Sequence, residues 1–142
     1  MRRQKSNNVR WRDKGDKLLR EYSKGQRCAV CNTDQHVCLH HLLPKSRFGR
    51  YRFELWNLIP LCPTHHTMGS HLSAHNENLL CVERFWQFLK ERYPTRLALL
   101  RKKESQYTVS TIHWEDLYKK LVKDLKKVAP AAQNVLDKPS TA

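Results

Sequence analysis

Apolar positions along the 142-residue chain fall into stretches of different period. Between Lys14 and Tyr22, the residues Leu18, Leu19 and Tyr22 share one side of a short helix, inside a polar and basic N-terminal segment that runs to Arg27. The first dozen residues are expected to be disordered on their own. From His36 to Leu43 the alternation suits a strand, Pro44 to Phe53 is a basic loop without an apolar period, and Leu55 to Leu61 reads as the return strand of a hairpin. Pro63 stands where a helix can begin, because proline is tolerated at the first helical position. A second helix is predicted over Leu79 to Arg92, with Val82, Phe85, Trp86, Leu89 and Tyr93 recurring at three- and four-residue steps as a core stripe. Pro94 interrupts this period, and Thr95 to Lys103 starts a short helix that turns Leu97 and Leu100 inward. In Thr111 to Val128 a stripe of Trp114, Leu117, Leu121, Leu125 and Val128 follows, with Glu115 and Asp116 placed in the first turn where they suit the helix dipole. That helix reads as a packing element, with a dimer seam as the alternative. Ala129 to Ala142 reads as a flexible tail.

The predicted fold class is therefore α+β: a small strand, loop, strand, helix core flanked by helices. Its parts are a basic segment over 1–27, a chemical domain over 28–93, a helical extension over 94–128 and a tail over 129–142. This length allows one full domain core, not two.

Charge narrows the partner. The 27 Lys and Arg against 13 Asp and Glu give a formal charge of +14, and a polyanion fits a basic surface spread along the whole chain. DNA is the expected partner; RNA and an acidic membrane share the charge argument. A membrane partner is not expected, since no stretch approaches the roughly 18 to 20 consecutive apolar residues of a spanning helix, and the basic N-terminus lacks a signal-peptide apolar run. Five cysteines, an odd number, beside eight histidines suit a reducing, cytoplasmic setting in which thiolates bind metal.

Cys28 and Cys31 form a C-x-x-C pair, and beyond the hairpin Cys62-Pro-Thr-His65 forms a second two-spaced pair. Two such knuckles close one tetrahedral zinc site, and four protein ligands leave no open position, so the expected role of this Zn2+ is structural. Cys38 and Cys81 have no two-spaced partner and read as small buried residues; Cys38 and His36 stand as substitutes should one ligand of the set be accidental.

Between the knuckles lie His40-His41-Leu42-Leu43-Pro44 and Asn57-Leu58-Ile59-Pro60-Leu61-Cys62, and His66 follows the last predicted zinc ligand. Over roughly Cys28 to Asn76 this arrangement resembles the HNH endonuclease family, in particular its zinc-knuckle-containing, phage-type members. The resemblance implies a ββα-metal core and metal-dependent hydrolysis of DNA to 5′-phosphate and 3′-hydroxyl ends. It implies His41 as general base, His40 and His66 as ligands of a catalytic divalent ion (Mg2+, Mn2+, Ni2+ or Zn2+), and Asn57 as the brace of the loop that also sets the orientation and tautomer of His41. For a third ligand His75 is preferred over His71. The chemistry is consistent from first principles: neighbouring strand residues point to opposite faces, so one histidine can hold a metal while the other takes a proton from water. Lys45, Arg47, Arg50 and Arg52 on the basic loop are expected to contact phosphates. The competing reading is a non-catalytic zinc module that binds nucleic acid, with the histidines as packing or structural ligands. His36 and His113 read as partly exposed, satisfied side chains.

Overall fold

The computed structural model describes residues 3–69 and 71–128; the expected flexible tail, Ala129 to Ala142, lies outside them. The chain is α+β, with one two-stranded antiparallel sheet among helices. Among the described residues, no helix is long and apolar enough to cross a membrane.

Helix α1 spans Asn7–Ser23, so the expected disorder of the first dozen residues gives way to helix from Asn7 onward. Ser6 caps it, its side chain accepting a hydrogen bond from the Val9 N–H. Tertiary packing does the rest: Trp11, Leu18 and Leu19 join one apolar cluster with Trp114, Leu117 and Leu121 of α4 (Trp114–Lys127). Gly15 lets this happen at close range. A Cβ there would overlap the Phe53 ring, so a residue normally unfavourable inside a helix is required by the approach. The stripe of α4 is thus covered by α1 and by Phe53, Leu55 and Leu58, which is the packing role expected for it.

The strands are β1 (Cys38–His41) and β2 (Leu58–Leu61), shorter than the alternation suggested, in the register Cys38↔Leu61, Leu39↔Pro60, His40↔Ile59 and His41↔Leu58. β2 is buried along its whole length. Pro60 has no N–H to give, but its carbonyl accepts from the Ala29 N–H at 2.9 Å, tying the first cysteine pair to the sheet. The intervening loop is more apolar in effect than in pattern: Phe48 and Phe53 are buried, and Phe48 packs with Tyr51 and Tyr107.

After β2 the expected helix is reduced to a five-residue π-helical turn, Thr64–Met68. It ends at Gly69, where a Cβ would run into the Thr64 carbonyl oxygen. Wide turns of this kind concentrate at functional sites, and here the turn carries His65 and His66 to two different clusters. Helix α2 (Leu79–Arg92) is capped by Asn78 and buries Cys81, Phe85 and Leu89, while Trp86 of the expected core stripe stays exposed. Helix α3 (Pro94–Gln106) starts with proline in its first turn and buries Leu100, with Leu97 packed against the same core.

Candidate metal centre and histidine cleft

Among the described residues, two groups of side chains could hold a metal, and the adjacent residues His65 and His66 belong one to each. In the first, one ligand atom from each of Cys28, Cys31, Cys62 and His65 lies within 4.8 Å of the others. A tetrahedral zinc with Zn–S of about 2.3 Å and Zn–N of about 2.0 Å sets its ligand atoms about 3.5–3.8 Å apart. Here Cys31 Sγ lies 3.7 Å from Cys62 Sγ, and His65 Nδ1 lies 3.7 Å from Cys28 Sγ and 3.3 Å from Cys62 Sγ. The cluster is suited to hold a metal such as zinc. Its turns are local: the Cys28 carbonyl accepts from the Asn32 N–H, with Asn32 in the left-handed region, and the Cys62 carbonyl accepts from the N–H groups of His65 and His66. Burial pushes the Cys28 thiol up to about 11. Burial also acts to raise Cys62, but hydrogen bonds, first that from the His65 backbone, bring it below the usual thiol range. A cation would replace the proton that burial otherwise keeps on Cys28.

The second group is His40, His66 and His75. His40, on β1, is buried at 6 % exposure, and its ring centroid lies 4.6 Å from that of His75 and 5.2 Å from that of His66. Backbone bonds hold the other two in place: the His75 N–H donates to the His66 carbonyl at 2.7 Å and the Ala74 N–H to the His65 carbonyl at 2.9 Å. Burial pulls the His40 imidazole down to about 3, aided by the neighbouring His75, His66 and His41. Burial, then His75, lowers His66. At neutral pH His40 and His66 are therefore uncharged and offer ring lone pairs, the state a metal requires of imidazole. Cys38 Sγ lies 3.5 Å from His66 Nδ1, so this thiol, expected to be simply buried, is half-buried and holds one nitrogen of His66 while leaving Nε2 for another partner. His71 is exposed and is not part of the group; its carbonyl accepts from Arg84.

The histidines line an open cleft of about 540 Å³, walled by Asp16, Leu19 and Arg20 of α1 on one side and Pro44 to Ser46 on the other. His41 also lines it. Its Nε2 lies 2.9 Å from the Arg52 carbonyl oxygen, and because a carbonyl only accepts, Nε2 carries the proton and Nδ1 is the free base. Burial lowers the His41 pKa against the opposing pull of the Arg52 carbonyl; the charges of Lys45 and Arg52 add to the lowering, and Asp16 acts to raise it.

Asn57 was expected to set the tautomer of His41, but that hydrogen bond belongs to the Arg52 carbonyl. Asn57 is fully buried and braces the loop alone: its Oδ1 accepts from the Leu43 N–H at 2.7 Å, and its Nδ2 donates to the carbonyls of Leu43 and Tyr51 at 3.1 and 3.2 Å. Asn57→Ala strands these buried groups, and loss of even one such partner costs about 1–3 kcal/mol. The urea midpoint should fall accordingly with an unchanged m-value. Arg52 was expected to meet phosphate, but its Nε and Nη2 form a two-pronged pair with Asp16 at 2.7 and 2.6 Å, with both side chains largely shielded. Lys45, Arg47 and Arg50 are exposed, as a phosphate-contacting loop requires. The role of Asp16 had no signal in the sequence, where it is one acid in a basic helix far from the histidines. His36 and His113 are exposed.

No protein-family model, curated protein or solved structure matches the chain.

Proposed function

We propose that the protein is a metal-dependent endonuclease of the HNH type, hydrolysing DNA phosphodiester bonds to 5′-phosphate and 3′-hydroxyl ends. The observation that carries this reading is the pairing of three converging imidazoles, His40, His66 and His75, with an oriented free base, His41, in one open cleft. In this reading the two strands, the turn Thr64–Met68 and the cysteine-bearing cluster take the places of the strands, helix and knuckles of the ββα-metal core. A metal bound there would neutralise charge on a phosphoryl oxygen and on the departing 3′ oxygen. His41 Nδ1 takes a proton from water, the water oxygen bonds to phosphorus, the P–O3′ bond breaks, and the 3′ oxygen takes a proton from solvent. Lys45, Arg47 and Arg50 hold flanking phosphates.

Donor chemistry orders the metals. Imidazole suits Ni2+ and Zn2+, whereas Mg2+ and Mn2+ favour oxygen ligands, so Ni2+ should support cleavage better than Mg2+. A plasmid nicking assay across these ions tests the reading, with His75→Ala as the variant because His75 is the exposed member of the group. His75→Ala should raise the half-maximal metal concentration at least tenfold. Nicking with the same metal dependence in both proteins would contradict the ligand set.

Asp16 and Arg52 act on the base from behind. The two-pronged pair fixes Arg52, and the Arg52 carbonyl fixes the His41 tautomer. Asp16→Ala should lower the cleavage rate roughly 10–100-fold, the range seen when a group supporting a functional side chain is removed. Its acid limb should move to lower pH, because the Asp16 charge raises the His41 pKa. An unchanged pH profile would assign Asp16 a purely structural role.

A further inference from the structure

The outer face of α1 carries an unpaired line of cations that leads to the histidine cleft. Arg10, Lys17 and Arg20 are separated by seven and three residues, which stacks them on one side of the helix over about 15 Å at 1.5 Å per residue. All three are exposed. They line a shallow groove of about 580 Å³ with Lys5, Asp13 and Lys14. Asp16 and Arg20 belong to both this groove and the histidine cleft, so the two depressions are continuous.

The two acids in the groove do not neutralise the line. Asp13 is held by Lys5 at 2.6 Å and by Arg12 at 3.4 Å, and Asp16 is held by Arg52. Lys14 lies over the Trp11 ring. Among the described residues, no carboxylate pairs with Arg10, Lys17 or Arg20. The opposite face of α1 is spent on α4 and the sheet, with Gly15, Leu19 and Ser23 buried, so the cationic face is held rigidly and cannot collapse onto the protein.

We infer that α1 is a docking surface for duplex DNA: Arg10, Lys17 and Arg20 seat successive phosphates of one strand and feed it past Arg20 into the cleft. The opposite wall, Lys45 with Arg47 and Arg50 beyond it, meets the same duplex from the other side. This inference rests on the nuclease reading for its substrate but concerns binding alone. The spacing supports it, since a run of about 15 Å spans several phosphates of a strand that advances about 3.4 Å per charge along the duplex axis.

The test is the salt dependence of binding to a short duplex, followed by fluorescence anisotropy with the full zinc-loaded chain and no added divalent metal, so that cleavage does not contribute. Each phosphate contact contributes about −0.9 to the slope of log Kobs against log salt. Arg10→Gln, Lys17→Gln and Arg20→Gln combined should make the slope shallower by about 2–3. Arg101→Gln, Lys102→Gln and Lys126→Gln, which remove equal charge from exposed positions lining neither depression, should leave the slope close to wild type. Equal slopes in wild type and the α1 variant overturn the inference, as do equal losses in both variants, which mean diffuse charge. A loss confined to an RNA duplex overturns the choice of DNA. A wild type that shows the α1-dependent slope yet never cleaves upholds this docking surface and sinks the nuclease reading; cleavage with an α1-independent slope does the reverse.

Discussion

His41→Ala is expected to lower the DNA cleavage rate by about 10²- to 10⁴-fold, the usual contribution of a positioned general base, while metal uptake by both clusters and DNA affinity stay unchanged. The expectation follows from one hydrogen bond. With Nε2–H committed to the Arg52 carbonyl, Nδ1 is the ring nitrogen left to accept a proton from water, and alanine removes it. The fold should tolerate the change, because His41 is only partly buried and the lost bond contributes about 0.5–1.5 kcal/mol to stability. The pH profile supplies a second signature. Burial and the nearby cations lower the His41 pKa from 6.5, and a base works in its unprotonated form. The wild-type rate should therefore hold through neutral pH and fall only as the pH drops below the ordinary histidine range. An acid limb above that range would contradict the assignment, and so would a variant that cleaves like the wild type.

Loss of the metal that the cysteine cluster is suited to hold should have the largest effect on stability. Structural zinc sites bind with an apparent free energy of about 10–16 kcal/mol, comparable to the whole stability of a typical domain at about 5–15 kcal/mol. The core around this cluster is small, and Cys28 and Cys62 belong to it together with Leu42, Ile59, Leu61 and Phe85. Cys28→Ser with Cys31→Ser is expected to abolish tight zinc binding and the cooperative thermal transition. Metal analysis of the unaltered protein should find about one tightly held zinc per chain, as one four-ligand site requires. A double variant that keeps its zinc and its melting transition would contradict the ligand set.

Legibility in the sequence followed the distance over which each interaction acts. The paired knuckles could be read because zinc chemistry imposes a two-residue spacing that survives as text in Cys28, Cys31, Cys62 and His65. Much of the histidine group could be read from His40, His66 and His75, which sit on the hairpin and the turn beyond it. The covered stripe of α4 was visible in its period. What could not be read depends on packing between distant segments. Arg52 looks like any loop arginine until α1 brings Asp16 against it, and the carbonyl that orients His41 has no residue identity to betray it. Asn57 was assignable to the loop, but the partner of His41 was decided by where the short 3-10 helix Gly49–Tyr51 and the buried Phe53 set the backbone of Arg52. The early start of α1 was hidden because a polar segment gains its helix from contact with α4. The helix expected after Pro63 closed into a wide turn because His65 and His66, adjacent in sequence, serve two clusters.

In the proposed reaction the His40, His66 and His75 cleft, with His41 as base, cuts DNA. Its most direct measurement is the cleavage of end-labelled duplex DNA by the zinc-loaded protein in the presence of Ni2+ or Mn2+, with the chemistry of the new ends determined. The expected result is metal-dependent strand scission that leaves 5′-phosphate and 3′-hydroxyl ends. Intact DNA with Ni2+, Mn2+, Zn2+ and Mg2+ alike, from protein that binds the duplex and loads its histidine cluster, would contradict it.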